Sequence, residues 1–277
     1  MDISIHSTAA LTSGHNIPLL GLGAFKIPDG PEAVRVFFQA LESGYRHIDT
    51  ARVYGNEASV GKAIRQSGVP REEIFLTTKL WNEDQGYKKA RKALEESLQQ
   101  LQTNYVDLFL IHWPVEGMRM ESWRALEDMH DEGLCRNIGV SNYMKRHLAE
   151  LLMHCRIKPA VNQIEMHPFI FGKREDLVHF CRKNDIHISA YSPLTKGLKI
   201  NDPRLAVIAR RYFKSPAQIL IRWALQEGFS VLPKSADKER QEENLRVFDF
   251  NLPEEDMMTL HKMNEGLVTG WDPTDMP

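Results

Sequence analysis

Two hydrophobic periods alternate along this chain. Short apolar runs are followed by longer stretches in which apolar residues recur every three to four positions. Ile3–Leu22 carries two apolar stretches around Ser13-Gly14-His15-Asn16 and reads as a hairpin leading into a strand, Pro18–Ala24. Glu32–Leu41 follows as a helix, with Val34, Phe37, Phe38 and Leu41 at helical spacing and Gly44 closing it. The stretch Gly44–Tyr54 gives a short strand ending on Asp49, and Asn56–Gln66 reads as a helix. The unit then repeats. Strand Phe75–Leu80 precedes helix Tyr87–Leu101, in which Leu94, Leu98 and Leu101 face inward and Lys88, Lys89, Glu95 and Glu96 outward. Strand Asp107–His112 precedes helix Ser122–Glu132, strand Asn137–Ser141 precedes Lys145–His154, and strand Ala160–Ile164 precedes Arg174–Lys183. His187–Tyr191 is followed by two helical pieces, Pro203–Arg211 and Pro216–Gln226. Ser230–Pro233 precedes helix Asp237–Leu245, and Pro253–Met263 reads as a last helix.

Strands that alternate with helices pair in parallel through right-handed crossovers. Counted from Pro18, the eight strand-then-helix units occupy about 250 residues, the usual size of a closed (β/α)₈ TIM barrel. An open eight-stranded sheet is the alternative. The fold class expected is α/β: one barrel domain over residues 1–277, with an N-terminal β-hairpin and a short C-terminal tail. Chemistry in such barrels sits at the carboxyl ends of the strands.

Composition removes several function classes. The 277 residues are 42% hydrophobic and 26% charged, with a net charge of −2, so neither nucleic acid nor an anionic membrane is an expected partner. Cys135, Cys155 and Cys181 are an odd, sparse set, which points to reduced thiols and a cytoplasmic setting. Residues 1–20 lack a basic start followed by an apolar core, so no secretory leader is expected, and no apolar run is long enough to span a bilayer. No metal is expected, because the eleven histidines include no H-E-x-x-H spacing and Glu165-Met166-His167 reads as structural. Gly21-Leu22-Gly23 lacks the third glycine of a dinucleotide fingerprint.

The predicted strands end on polar groups: Asp49, Lys79, His112, Ser141-Asn142, Gln163, Tyr191 and Lys234. Each taken singly has a bland reading. Asp49 could be a capping residue, Lys79 and Tyr54 solvent-facing, His112 a hydrogen-bonded core histidine, Ser141-Asn142 a helix cap, and Lys234 with Arg240 a solvated face. Together at one rim they suggest a carbonyl-polarising site. A tyrosine, with its ordinary pKa of about 10, is a poor acid at neutral pH. A nearby lysine held charged by Asp49 is expected to lower that value and make Tyr54 a general acid, with His112 orienting the substrate oxygen. Ser141, Asn142 and Gln163 could grip a carboxamide, and Tyr191 could stack a flat ring. Lys234-Ser235 and Arg240, at the start of the last strand's helix, suit an anion such as a 2′-phosphate.

The motifs G-Y-R-H-I-D-T-A with Tyr54, T-K-L-W, L-I-H-W-P, I-G-V-S-N, N-Q-I-E, A-Y-S-P-L and L-P-K-S…R…E-N stand in order over nearly the whole chain. The sequence thereby resembles the aldo-keto reductases, in particular a microbial and protist branch that includes 2,5-diketogluconate, glyoxal/methylglyoxal and prostaglandin F synthase-type reductases. The resemblance implies NADPH/NADP⁺ in an extended pose across the barrel mouth. It implies a catalytic tetrad of Asp49, Tyr54, Lys79 and His112. It places the carboxamide on Ser141, Asn142 and Gln163, the stacked ring on Tyr191, and the pyrophosphate beside Ser192 and Leu194. Lys234, Ser235 and Arg240 would hold the 2′-phosphate, with Glu243 and Asn244 on the adenine.

Two departures bear on substrate. Phe25 stands where many members have tryptophan, and the segments Thr195–Asn201 and Asn264–Pro277 are short. Easier cofactor exchange follows as an expectation, as does an open pocket lined by Phe25, Trp81, Trp113 and Trp271. The activity expected is NADPH-dependent reduction of small aldehydes, α-dicarbonyls and keto-sugars by a cytoplasmic monomer. A catalytically weak NADPH-binding sensor or structural protein on the same fold, and a different barrel enzyme using Lys79 as a base, are the rivals.

Overall fold

A computed structural model describes residues 3–277. The chain opens with an antiparallel hairpin of β1 (Thr8–Ala10) and β2 (Asn16–Pro18), paired Thr8 to Pro18. Its turn is held by Leu11 N–H donating to the His15 carbonyl at 2.8 Å. Ile17 and Leu11 are buried against Phe75, Leu108, Leu110, Ala160 and Val161. Phe75, Ala160 and Val161 lie at the amino-terminal ends of their strands, so the hairpin plugs the floor of the sheet opposite its carboxyl ends.

Eight parallel strands follow in chain order: β3 (Leu22–Gly23), β4 (His47–Asp49), β5 (Phe75–Leu80), β6 (Leu108–Ile111), β7 (Ile138–Ser141), β8 (Val161–Glu165), β9 (His187–Tyr191) and β10 (Ser230–Leu232). The expected first strand, Pro18–Ala24, is divided. Pro18 ends the hairpin, and only Leu22–Gly23 joins the main ladder. Leu20 bridges Val231, and Gly23 N–H reaches the Pro233 carbonyl at 3.0 Å, so the last strand returns to the first and the barrel closes. Closure leaves little room at Gly21, where a Cβ would lie 2.8 Å from His47 and Leu232. That crowding is the reason for glycine in Gly21-Leu22-Gly23.

Helices α1 (Pro31–Glu42), α2 (Glu57–Ser67), α3 (Tyr87–Leu101), α4 (Arg119–Asp131), α5 (Lys145–His154) and α6 (Phe171–Lys183) follow β3 to β8 in turn. After β9 come α7 (Pro203–Arg211) and α8 (Pro216–Gln226); after β10, α9 (Lys238–Leu245) and α10 (Glu254–His261). Both α4 and α6 begin three residues before their expected starts. The α1 stripe is also rotated: Ala33, Val36, Phe37, Ala40 and Leu41 are buried, while Val34 and Phe38 stay half-exposed. Small residues at 33 and 40 let that face approach the sheet, which large-residue spacing alone does not reveal.

Candidate active site

The carboxyl rim is shaped first by the loop after β4. Beyond Asp49 the chain makes one tight turn, Arg52–Tyr54, and Gly55 at φ 67° returns it toward α2. Left-handed backbone of this kind favours glycine. Tyr54 therefore stands one turn above the strand end, while Asp49 and Lys79 lie within the barrel. Asn56, fully buried, accepts from the Thr50 hydroxyl at 2.7 Å and donates to the carbonyls of Ala24 and Ile27 at 3.0 and 2.8 Å. This ties the loop after β3, which carries Phe25, to the loop carrying Tyr54; their rings lie 5.1 Å apart.

Four groups from four segments converge there. Lys79 Nζ donates to Asp49 Oδ1 at 2.6 Å and to the Thr50 carbonyl at 2.8 Å, and lies 3.5 Å from the Tyr54 hydroxyl. Lys79 is 1% exposed and Asp49 4%, so neither charge could persist without the other. The His112 ring stands edge-on to Tyr54 at 5.8 Å. His112 Nδ1 is buried with no hydrogen-bond partner among the described residues, which leaves Nε2 as the nitrogen able to face a ligand.

Electrostatics corrects the expectation for the phenol. Burial pushes the Tyr54 pKa well above its ordinary value, and the Asp49 carboxylate adds to the rise. The lysine does not reverse this, because Asp49, at 2.6 Å, neutralises its field. Burial pulls the Lys79 ammonium down, with Asp49 opposing. Burial, then the Lys79 charge, holds His112 well below the usual imidazole range. The resting site thus contains a protonated phenol and a neutral imidazole.

Residues expected at a carboxamide are joined to the same network. Gln163 Nε2 donates to Asp49 Oδ2 at 2.7 Å, and the Ser141 hydroxyl donates to the Gln163 main-chain carbonyl at 2.9 Å. Asn142 Nδ2 donates to the His112 carbonyl at 3.0 Å and to Ser141 Oγ at 3.1 Å; its Oδ1 accepts from the Tyr191 hydroxyl at 2.8 Å. One N–H and the side-chain carbonyl of Gln163 have no protein partner among the described residues. An amide offering one donor and one acceptor is complementary to a primary carboxamide. The half-buried Tyr191 ring, pinned by its hydroxyl, offers a fixed face beside it. Asn142, Ser192, Thr195 and Lys196 all take left-handed backbone around this ring, and such strain gathers at binding sites.

At the start of α9, Lys234 and Arg240 are exposed, and among the described residues neither enters an ion pair. Ser235 is buried, and its hydroxyl is engaged with Asp237, donating to the carbonyl and accepting from the N–H, both at 3.1 Å. The Asp237 carboxylate caps the helix through the Arg240 N–H at 2.9 Å. The two cations fit a phosphate, whereas the helix end is already occupied by a negative charge. Asn244 is buried and Glu243 half-buried on the same helix.

A family model described as the Aldo/keto reductase family matches residues 19–265. The chain belongs to that family. Glyoxal reductase of Bacillus subtilis is 44% identical over 276 residues, covering 100% of this chain and 99% of the relative. A 9,11-endoperoxide prostaglandin H2 reductase of Trypanosoma cruzi is 45% identical over 271 residues, 97% of this chain and 95% of the relative. Among solved structures, an aldo-keto reductase of Bombyx mori in complex with NADP superposes with a TM-score of 0.90 at 34% identity, covering 96% of this chain and 95% of that one.

In this aldo/keto reductase the rim around Tyr54 and His112 is aromatic. Trp81 lies 5.2 Å from His112 and 6.4 Å from Trp271, which lies 5.6 Å from Trp113. Phe25 is 47% exposed on the other side of Tyr54. Sequence reasoning missed three participants: the Thr50 carbonyl that binds Lys79, the Gln163–Asp49 bond, and Glu57. Glu57 is a buried carboxylate beneath Lys79 that accepts from Thr78 and Ser97 at 2.6 and 3.1 Å. No sequence signal identifies the first two. An acidic residue in the first turn of a helix, as Glu57 is, reads as an ordinary complement to the dipole.

Proposed function

We propose that this protein reduces small aldehydes, α-dicarbonyls and keto-sugars to alcohols with NADPH, using Tyr54 as the proton donor. The observation that carries the reading is the convergence of the Tyr54 hydroxyl, the Lys79–Asp49 pair and the His112 ring at one point of the rim. Bound NADPH supplies the hydride. Every other part of the reaction falls to side chains. His112 Nε2 and the Tyr54 hydroxyl hold the carbonyl oxygen, which fixes the carbon and excludes water from its face. As negative charge grows on that oxygen it becomes a stronger base than a phenolate, so even a Tyr54 with a raised pKa transfers its proton. The phenolate then forms 3.5 Å from the Lys79 ammonium, where the attraction is greater than in the resting state because the phenol now carries charge. Asp49 keeps that lysine charged against burial.

Ser141, Asn142 and Gln163 would hold the carboxamide, Tyr191 the ring, and Ser192 and Leu194 the pyrophosphate. Lys234, Ser235 and Arg240 would hold the 2′-phosphate, with Glu243 and Asn244 at the adenine. The protein would act as a cytoplasmic monomer; among the described residues no helix is long and apolar enough to cross a membrane. The test is direct: titrate with NADPH by fluorescence, add methylglyoxal, and follow the reduced-nicotinamide absorbance. Binding followed by oxidation of the cofactor is the expected result. Tight binding with no oxidation across aldehydes, dicarbonyls and keto-sugars would favour a binding protein on this fold.

A further inference from the structure

Past α10 three sets of contacts hold the tail at the barrel mouth, the outermost being Arg146 on the Thr274 carbonyl at 2.7 Å and His147 on the Met276 and Pro277 carbonyls at 3.0 and 3.1 Å. At the first, Glu165 at the end of β8, 4% exposed, accepts from the Thr269 N–H at 2.9 Å and from its hydroxyl. Lys196 donates to the Thr269 carbonyl at 2.7 Å. At the second, Arg174 of α6, 3% exposed, donates to Asp272 Oδ1 at 3.0 Å and to the Thr274 hydroxyl at 2.8 Å. Lys173 donates to Asp272 Oδ2 at 2.6 Å.

Trp271 lies between the first two of these sets. It is 68% exposed, so burial does little to fix it, and its placement depends on the Trp113 and Trp81 rings and on its neighbours in the chain. A buried guanidinium needs a partner of opposite charge, and Asp272 is that partner. Partial burial works against its ionisation, but Lys173, Thr274 and Arg174 hold the carboxyl below the usual carboxylate range. The ring so placed is third in a file running from His112 through Trp81 to Trp271, at successive separations of 5.2 and 6.4 Å. A three-carbon substrate held at His112 ends before the third ring. A substrate with a flat apolar group beyond its carbonyl reaches it.

We propose that Arg174 is a positioning residue for substrate selectivity: through Asp272 and Thr274 it holds Trp271 as the outer wall of the carbonyl pocket, favouring carbonyl compounds with a flat apolar substituent. The inference rests on the carbonyl-reductase reading above. Its test compares 4-nitrobenzaldehyde with methylglyoxal in the parent, Arg174→Lys, Asp272→Asn, Trp271→Ala and the Arg174→Lys/Trp271→Ala double variant. Lysine keeps the charge and loses the forked contact, and Asp272→Asn acts from the more exposed side should position 174 prove intolerant. The anchor variants are expected to raise KM for the aromatic aldehyde about three- to tenfold, the range of a lost aromatic contact. Their kcat should stay within about twofold, with KM for methylglyoxal and the fluorescence-derived NADPH Kd unchanged, as for residues that act only through the wall. The double variant should be no worse than Trp271→Ala alone, because residues acting through one contact do not add. Equal rises for both aldehydes, additive losses, or anchor variants that match the parent would overturn the proposal. A parent that reduces neither aldehyde would instead overturn the underlying functional reading.

Discussion

Replacing Tyr54 by phenylalanine should separate the chemistry from the fold. The ring contacts, 5.1 Å to Phe25 and 5.8 Å to His112, survive, because a phenyl occupies the same place. What disappears is one hydroxyl whose hydrogen-bond contact with the protein is the 3.5 Å approach of Lys79 Nζ. At the outer limit of hydrogen bonding, that contact contributes less than about 1 kcal/mol. For a chain of this size the melting temperature should move by no more than about 2–4 °C. On the proposed mechanism the same hydroxyl is the proton donor. Removing a general acid lowers turnover about 10²- to 10⁴-fold, which is about 3–5 kcal/mol of activation free energy. The two effects differ severalfold, so neither can be mistaken for the other.

Three measurements check this. Single-turnover oxidation of NADPH by methylglyoxal reports chemistry without interference from cofactor release. Fluorescence titration reports NADPH affinity, and a thermal melt reports the fold. The expected variant binds NADPH as the parent does, melts with it, and turns over at least about a hundredfold more slowly. Turnover within about tenfold of the parent would place the acid elsewhere, with the neutral His112 imidazole the first candidate because it also carries a ring N–H.

Other consequences follow from the charges at the rim and in the core. Lys234→Met should raise the NADPH Kd about ten- to a hundredfold, the worth of a charge-assisted bond, and leave NADH unaffected; equal losses for both cofactors would place no 2′-phosphate there. Asp237→Asn keeps the helix cap and removes the negative charge beside Arg240, so NADPH should bind about two- to fivefold tighter at low salt, with the gain fading as salt screens it. Unchanged affinity would mean the cap lies outside the anion site. His47 and His112 should make the fold acid-sensitive. Burial is the main cause in both, taking His47 down to about 3 and His112 well below the usual range. Their stabilisation is complete above the unfolded value of about 6.5 and is lost as pH falls toward the folded values, at about 1.4 kcal/mol per pH unit for each. Glu57, raised by burial, contributes in the opposite sense and lessens the slope. Urea denaturation between pH 7.5 and 5 should show lower stability in acid, and a flat or rising profile toward acid would refute the assignment.

Much of the barrel was legible because its signals are local. On α3, Leu94, Leu98 and Leu101 are buried and Lys88, Lys89 and Glu95 exposed, as the spacing implies. Glu96 alone departs, half-buried against Arg52. Asp49, Lys79 and His112 were legible for a topological reason: parallel strands in chain order bring every carboxyl end to one rim, so position along the sequence becomes position in the site. Boundaries were harder. The division between β2 and β3 depends on pairing with a strand more than 200 residues away, at Leu20 and Val231.

The sign of the Tyr54 shift was out of reach for a related reason. Sequence placed a cation near the phenol but could not weigh it against burial, or show that Asp49 lies close enough to cancel it. The same carboxylate resolves a further point. Asp49 accepts from Lys79 at one oxygen and from Gln163 at the other, so the proposed proton-donating cluster and the amide that would face the cofactor share one buried anion. Gln163 retains one N–H and its carbonyl oxygen for a carboxamide while still supporting Asp49. Occupation of that amide therefore need not break the Lys79–Asp49 pair, and it removes water from beside both. The order of polar strand ends along the chain is then more than a grouping at one rim. Hydrogen bonds run from Tyr191 through Asn142 and Ser141 to the Gln163 main-chain carbonyl, and from the Gln163 side chain to Asp49 and Lys79, which ties the Tyr191 ring face to the Asp49–Lys79 pair beside Tyr54.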